Sequence, residues 1–233
     1  MRFFIKRNKP TGAIRRAIGA LALMITAVVP VSSQEKPGDS ALTARAVFER
    51  LGSPALEILS PSSRLDMLDY WDADSVYQVK NALNGRSWLT EVTPDMLRVN
   101  ITPVSTLSIK LLPVKGGKVA MAVYTVGGDG QARDSQVDFY DPITLRQLDG
   151  SRYFTPPSLK SFFEISKGSD VTMKDIEEII PFMTVEYDLS SGSDEVTARL
   201  TSLEFIGSEG RDKIKPLLKS DLKAPWKGKY SFK

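Results

Sequence analysis

The densest run of chemically capable side chains is Arg64-Leu65-Asp66-Met67-Leu68-Asp69-Tyr70-Trp71-Asp72-Ala73-Asp74. Helical spacing puts Asp66, Asp69 and, less cleanly, Asp72 on one side, with Leu65, Leu68 and Trp71 on another. Two carboxylates beside Tyr70 and Trp71 could hold a cation, or act as acid and base in glycan hydrolysis with the rings stacking on a sugar. The competing explanation is a short amphipathic helix whose acids face water. Hydrolysis depends on carboxyl separation across folded elements, which spacing along one helix does not set.

A second candidate lies near the carboxyl terminus, where Lys213, Lys215, Lys219, Lys223, Lys227, Lys229 and Lys233 interleave with Trp226 and Tyr230. Charge plus stacking suits a polyanion, but Asp212 and Asp221 dilute the run, and lysines at sheet edges commonly block sheet-to-sheet association. Gly127 to Asp138 carries Asp129, Asp134 and Asp138 without the alternating ligands and terminal Glu of a calcium loop. Gly116-Gly117-Lys118 lacks the spacing of a phosphate loop. Both read as strand-connecting turns. The surface candidates are therefore Arg64, Asp66, Asp69, Tyr70, Trp71, Trp226 and Tyr230, and no residue is assigned to catalysis, a metal or a cofactor.

Composition narrows the chemistry further. The 233 residues include no Cys and no His, which removes Ser-His-Asp and Cys-His nucleophiles, Cys/His zinc sites and disulfides. The formal charge of +3 and sequence pI near 9.0 would suggest a polyanion partner, but the excess sits at the start. Arg2, Lys6, Arg7, Lys9, Arg15 and Arg16 precede an apolar run from Ala17 to Val31, the pattern of a secretory signal. That run is shorter than the roughly 20 residues of a membrane span, and Pro30 breaks it, so cleavage after Ser33 is expected in preference to an uncleaved anchor. Losing six cations and no acid leaves 25 Lys plus Arg against 28 Asp plus Glu, a net charge of minus three. The expected product is periplasmic or secreted, without a membrane span after cleavage and without nucleic acid as partner.

The elements that must position these residues follow from periodicity. Ser40 reads as the N-cap of a helix carrying Leu42, Ala46, Val47 and Leu51 and closed by Gly52. Ser53-Pro54 and Ser60-Pro61 each place a cap before a first-position Pro, predicting two more short helices. From Val76 the pattern alternates, predicting strands over 87–92, 97–102, 106–112, 119–126 and 136–140. Their short links imply an antiparallel meander. Beyond Pro156-Pro157, helices over 158–165 and 172–180, paired strands over 183–189 and 196–205, a broken helix at 214–218 and a strand-like tail over 226–232 repeat the order on a smaller scale. The expected fold is α+β: short amino-terminal helices packed on a mainly antiparallel meander, then a smaller helix-plus-hairpin carboxyl-terminal unit. The expected divisions are 1–33 as signal, 34–150 as helices plus meander, and 151–233 as a unit that stands alone or continues the first.

Beginning at Ser63-Arg64-Leu65-Asp66-Met67-Leu68-Asp69-Tyr70, the sequence resembles a domain-of-unknown-function family of secreted Bacteroidetes proteins. The resemblance continues through Leu89-Thr90-Glu91-Val92-Thr93, Ile109-Lys110-Leu111-Leu112-Pro113 and Val137-Asp138-Phe139-Tyr140-Asp141. It ends at Lys215-Pro216-Leu217-Leu218 and Trp226-Lys227-Gly228-Lys229. It implies export and a soluble α+β body, and supplies no activity or catalytic residue. Two functional classes follow. The first is a non-catalytic exported module that binds a protein, peptide or cell-envelope component through a sheet face or edge. The alternative is a carboxylate-based, glycan-type hydrolase using Asp66 and Asp69.

Overall fold

Residues 42–52, 55–75, 77–127 and 132–232 are described by a computed structural model. The expected export signal, residues 1–33, and Ser40, Ser53, Pro54 and Asp129 lie outside them. Helix α1 (Ala44–Arg50) is capped by Thr43, whose Oγ1 accepts from Ala46 N at 3.1 Å. Residues 55–59 form turns and not the helix expected after Pro54. Only a handful of residues separate Gly52 from the next start signal, too few to repay helix nucleation. That next signal works as expected: Ser60 accepts from Ser63 N, and Pro61 opens α2 (Pro61–Asp72).

The alternating region forms one six-stranded antiparallel sheet in sequence order: β1 (Val79–Lys80), β2 (Arg86–Val92), β3 (Met96–Thr102), β4 (Ser105–Val114), β5 (Gly117–Val126) and β6 (Asp134–Tyr140). The turn between β4 and β5 needs Gly116 at φ +90°, a left-handed conformation that side chains disfavour. Alternation sends Leu97, Val99, Leu107, Ile109, Ala120 and Ala122 to one face, where they pack with Val47, Phe48, Met67 and Leu68 of the helices. Met96, Leu112, Val119, Met121, Val123 and Phe139 point the other way, into a second cluster. A sheet covered on both sides buries consecutive residues, which is why β4 reads Leu111-Leu112 without a polar break.

The second cover is built from residues 150–232. It contains β7 (Phe154–Thr155), α3 (Met173–Ile179), a sheet ordered β10-β9-β8 from β8 (Val185–Leu189), β9 (Glu195–Leu200) and β10 (Leu222–Pro225), α4 (Ser208–Ile214), and β11 (Tyr230–Ser231), parallel to β7. Thr172 and Asp175 cap α3 reciprocally. The strand expected to reach 205 stops at Leu200 because Thr201 and Ser202 turn their hydroxyls to Arg133 O and Thr184 O, a local competitor to the ladder. Gly228 at φ +81° divides the expected 226–232 strand. The helix near 214 lies mostly before the expected place, and Lys215–Leu217 follows it as a single 3-10 turn. The architecture is thus α+β with mainly antiparallel sheets. Among the described residues, no helix is long and apolar enough to cross a membrane.

Candidate functional site

Arg64 is not a surface residue: it is 4% exposed, while Leu65, expected on the apolar side, is 45% exposed. Helix α2 turns Arg64, Met67 and Leu68 inward. The guanidinium donates to Leu59 O at 2.6 Å and Glu49 O at 3.2 Å, closing the carbonyls left by the preceding turn and by α1. Burial lowers its pKa, though a guanidinium stays charged throughout the accessible range. Arg64→Ala should cost about 2–3 kcal/mol of unfolding free energy, since two acceptors lose a charged donor. Arg64→Lys should recover only part of it, because an ammonium cannot reproduce the planar fork. Urea titration measures both, and a loss below about 0.5 kcal/mol for Ala would show that neither bond matters.

Asp66 and Asp69 stand exposed on α2. Tyr70 and Trp71 pack partly against the first core cluster, and the Tyr70 ring lies 4.7 Å from that of Tyr77. Neither acid lines either of the two cavities considered below. A hydrolase built on them has no support in this geometry. The carboxyl-terminal pair is corrected as well. Tyr230 is 0% exposed. Trp226 Nε1 donates to Pro113 O at 2.6 Å. The two rings pack on each other at 4.9 Å, beside Tyr153 and Phe154. Tyr230 is interior packing, because the pairing of β11 with β7 tucks it under the meander, whereas Trp226 lies partly buried against the same cluster and keeps some exposure. The lysines around them disperse to separate partners, Lys213 to Asp175, Lys223 to Glu195 and Lys229 to Ser151 O.

The better site lies on the opposite side of the sheet from α2. Register aligns Trp88, Asn100, Thr106, Thr125 and Ser135 in one row across β2 to β6, all on the second face. The next row runs Glu91, Arg98, Ser108, Val123 and Val137. The one after it runs Met96, Lys110, Met121 and Phe139. The face therefore grades from apolar, where the second cover sits, to polar at the open end. Between this polar end and β8 lies a cleft of about 330 Å³, floored by Arg98, Asn100, Thr106 and Ser108 and walled by Arg133, Glu186 and Asp188. That volume is at the lower end of small-ligand sites.

Several of these polar residues hold the cover in place. Val185 N donates to Asp134 Oδ1 at 3.1 Å and Tyr187 N to Ser135 Oγ at 3.0 Å. Arg98 Nη2 donates to Leu189 O at 2.6 Å and pairs with Asp188 at 3.0 Å. Side chains of the large sheet thus complete the outer edge of β8 in place of a neighbouring strand. Lys110, 0% exposed, does the same for the β8–β9 turn, donating to Ser190 O at 2.6 Å and Ser193 O at 2.9 Å. Glu186 is held by Arg133 at 2.7 Å and Arg199 at 3.4 Å.

The charged groups of the cleft are ion-paired, although Arg133 Nε is buried with no hydrogen-bond partner among the described residues, and its hydroxyls are not activated. Thr125 Oγ1 meets Ser135 Oγ, Thr90 donates to Arg98 O, and Ser108 Oγ accepts from Arg98 Nε. Among the described residues, none of these hydroxyls bonds a carboxylate or amine able to take its proton, as nucleophilic catalysis requires. Burial, with help from Asp134, pushes the Tyr187 phenol up to about 12, so it stays neutral. No group of three or more acidic side chains among the described residues is placed to hold a metal ion. A second cavity, about 500 Å³, is lined by Lys160, Phe163, Glu164, Ile165 and Lys219. Its base is ordinary backbone pairing, Glu164 N to Leu217 O and Lys219 N to Phe162 O.

A family model described as "Protein of unknown function (DUF3256)" matches residues 39–231. The chain belongs to the DUF3256 family. The match runs from before α1 through β11, so helices, meander and cover are all within the DUF3256 region. A solved structure of a domain of an uncharacterized protein from Porphyromonas gingivalis W83 is similar, with a TM-score of 0.67 and 20% identity. It covers 81% of this chain and 98% of that one. At that identity the likeness concerns the fold alone. No curated protein matches.

In this DUF3256 chain, sequence reasoning missed the cleft altogether. A signal for it existed: Arg98, Asn100, Thr106, Ser108 and Lys110 interrupt otherwise apolar strands at one alternation phase. A single solvated face would explain that phase equally well, until the second cover is known.

Proposed function

We propose that the chain is an exported, non-catalytic module that binds a polar ligand in the cleft between the meander and β8. One observation carries this. The cleft floor keeps unspent hydrogen-bonding capacity, since neither the Asn100 carboxamide nor the Thr106 hydroxyl has a hydrogen bond to another described residue, while the charged groups around them are ion-paired. The basic and then apolar start of the sequence supports export to the periplasm or beyond. A cell-envelope component is then the class of partner the protein would meet.

A thermal-shift screen of the full chain against soluble envelope-derived glycans and peptides tests the proposal. A ligand at about 100 times its Kd should add about 2.7 kcal/mol, or roughly 5–10 °C for a chain of this size. Thr106→Trp, which fills the cleft, should abolish the shift, whereas Asp66→Asn with Asp69→Asn should leave it intact. Shifts that survive Thr106→Trp, or no shift with any member of the screen, would remove the proposal.

A further inference from the structure

Resting on that proposal, we infer that the cleft ligand is a neutral saccharide stacked on Trp88 and hydrogen-bonded by Asn100 and Thr106. Three features select this chemistry. Trp88 stands next to the cleft and does not line it, but it is the direct cross-strand partner of Asn100, which does, and is partly exposed. Opposed side chains in an antiparallel pair lie about 5 Å apart at Cβ, which puts an indole beside the carboxamide at the rim of the cleft, with Thr106 next in the row. Pyranose rings suit such a pairing: an apolar C–H face for the aromatic ring, and hydroxyls for a group that both donates and accepts.

Charge is the second feature. Arg98 is committed to Asp188 and Leu189 O, and Arg133 to Glu186. An anionic ligand would have to break these pairs and loosen β8, whereas a neutral one would not. The third feature weighs against an extended peptide, which binds chiefly by adding a strand to a free edge. The cleft floor is the face of a laddered sheet, with its backbone groups already paired. The wall strand β8 has its outward Val185 and Tyr187 amides bonded to Asp134 and Ser135. Hydroxyl, amide and indole side chains are what remains on offer at the surface, the one spare donor of a charged cleft residue, Arg133 Nε, being buried.

Isothermal titration calorimetry of the full chain with neutral tetrasaccharides (N-acetylglucosamine, glucose and mannose homo-oligomers), alongside a pool of uncharged octapeptides, tests the inference. At least one tetrasaccharide should bind. Trp88→Ala and Asn100→Ala should each weaken it at least about tenfold while the circular-dichroism melting temperature stays near that of the parent. Thr106→Val, nearly isosteric, should weaken it without touching the fold and guards against a misfolded Trp88 variant. Octapeptide binding lost in Asn100→Ala, with no saccharide bound, would overturn the saccharide inference and leave the cleft standing as the site. Binding of either class that ignores all three substitutions would overturn both.

Discussion

Lys110→Ala is expected to remove about 3–5 kcal/mol of unfolding free energy, a large part of the roughly 5–15 kcal/mol margin of an ordinary domain. Lys110 lies in the middle of β4 with its side chain fully buried, and its ammonium reaches two carbonyls of the β8–β9 turn, Ser190 O at 2.6 Å and Ser193 O at 2.9 Å. Asp95 at 3.3 Å and Asp194 at 3.6 Å balance the charge from more exposed positions. Truncation withdraws the methylenes, worth about 0.8 kcal/mol each, and strands acceptors that cost about 1–3 kcal/mol when left unpaired. Lys110→Met separates the two contributions: it keeps the stem and should lose only about 2–3 kcal/mol. Lys118→Ala, an exposed lysine on the adjacent strand, should change stability by less than about 0.5 kcal/mol. Urea titrations followed by far-ultraviolet circular dichroism give all three numbers. A Lys110→Ala loss under about 1 kcal/mol would mean that the turn is not anchored by this residue.

Position 230 should show the opposite behaviour for two substitutions of one ring. Tyr230 is fully buried among Phe154, Trp226 and the second core cluster, and its amide donates to Tyr153 O at 2.8 Å. Tyr230→Ala opens a large cavity under the meander and should cost about 3–5 kcal/mol. The hydroxyl, however, is buried with no hydrogen-bond partner among the described residues, and burial raises the phenol pKa with Asp194 adding to it. Removing that oxygen relieves a desolvated polar atom, so Tyr230→Phe should be neutral or should gain up to about 1 kcal/mol. Chemical denaturation monitored by tryptophan fluorescence, with Trp226 4.9 Å away as reporter, distinguishes the cases. A loss above about 1 kcal/mol for Phe would show that the hydroxyl has a stabilising partner.

These residues also mark where sequence reasoning succeeded and failed. The five strands from Trp88 to Tyr140 were legible because period-two alternation and tight Gly, Pro and Asn links are local signals. The cap-and-Pro start of α2 was legible for the same reason. Which way α2 faces was not. Its Leu65 looked buried and its Arg64 exposed, and the reverse holds because a cation that can satisfy two buried carbonyls is better placed inside than a leucine that cannot. Trp226 and Tyr230 looked like a stacking surface because their lysine neighbours are polar, yet the parallel pairing of β11 with β7 carries Tyr230 inward and leaves Trp226 only partly exposed against it.

Composition by itself determined that Cys and His chemistry is unavailable to this chain, and that its excess of positive over negative charge comes from the first sixteen residues. Periodicity by itself determined an antiparallel meander preceded by short helices and followed by a hairpin unit. Both are sums or local patterns, so they need no knowledge of what packs on what. Only the tertiary structure decided that the sheet is covered on both faces. Only it decided that Lys110 and Arg98 are fasteners for β8 and its turn, and that Trp88, Asn100 and Thr106 share a row beside a cleft. These three residues are separated by up to 18 positions in the chain, and they meet because strand register, set across three strands, puts one from each at the same height. Register is a long-range property, and a one-residue slip would have sent all three to the other face.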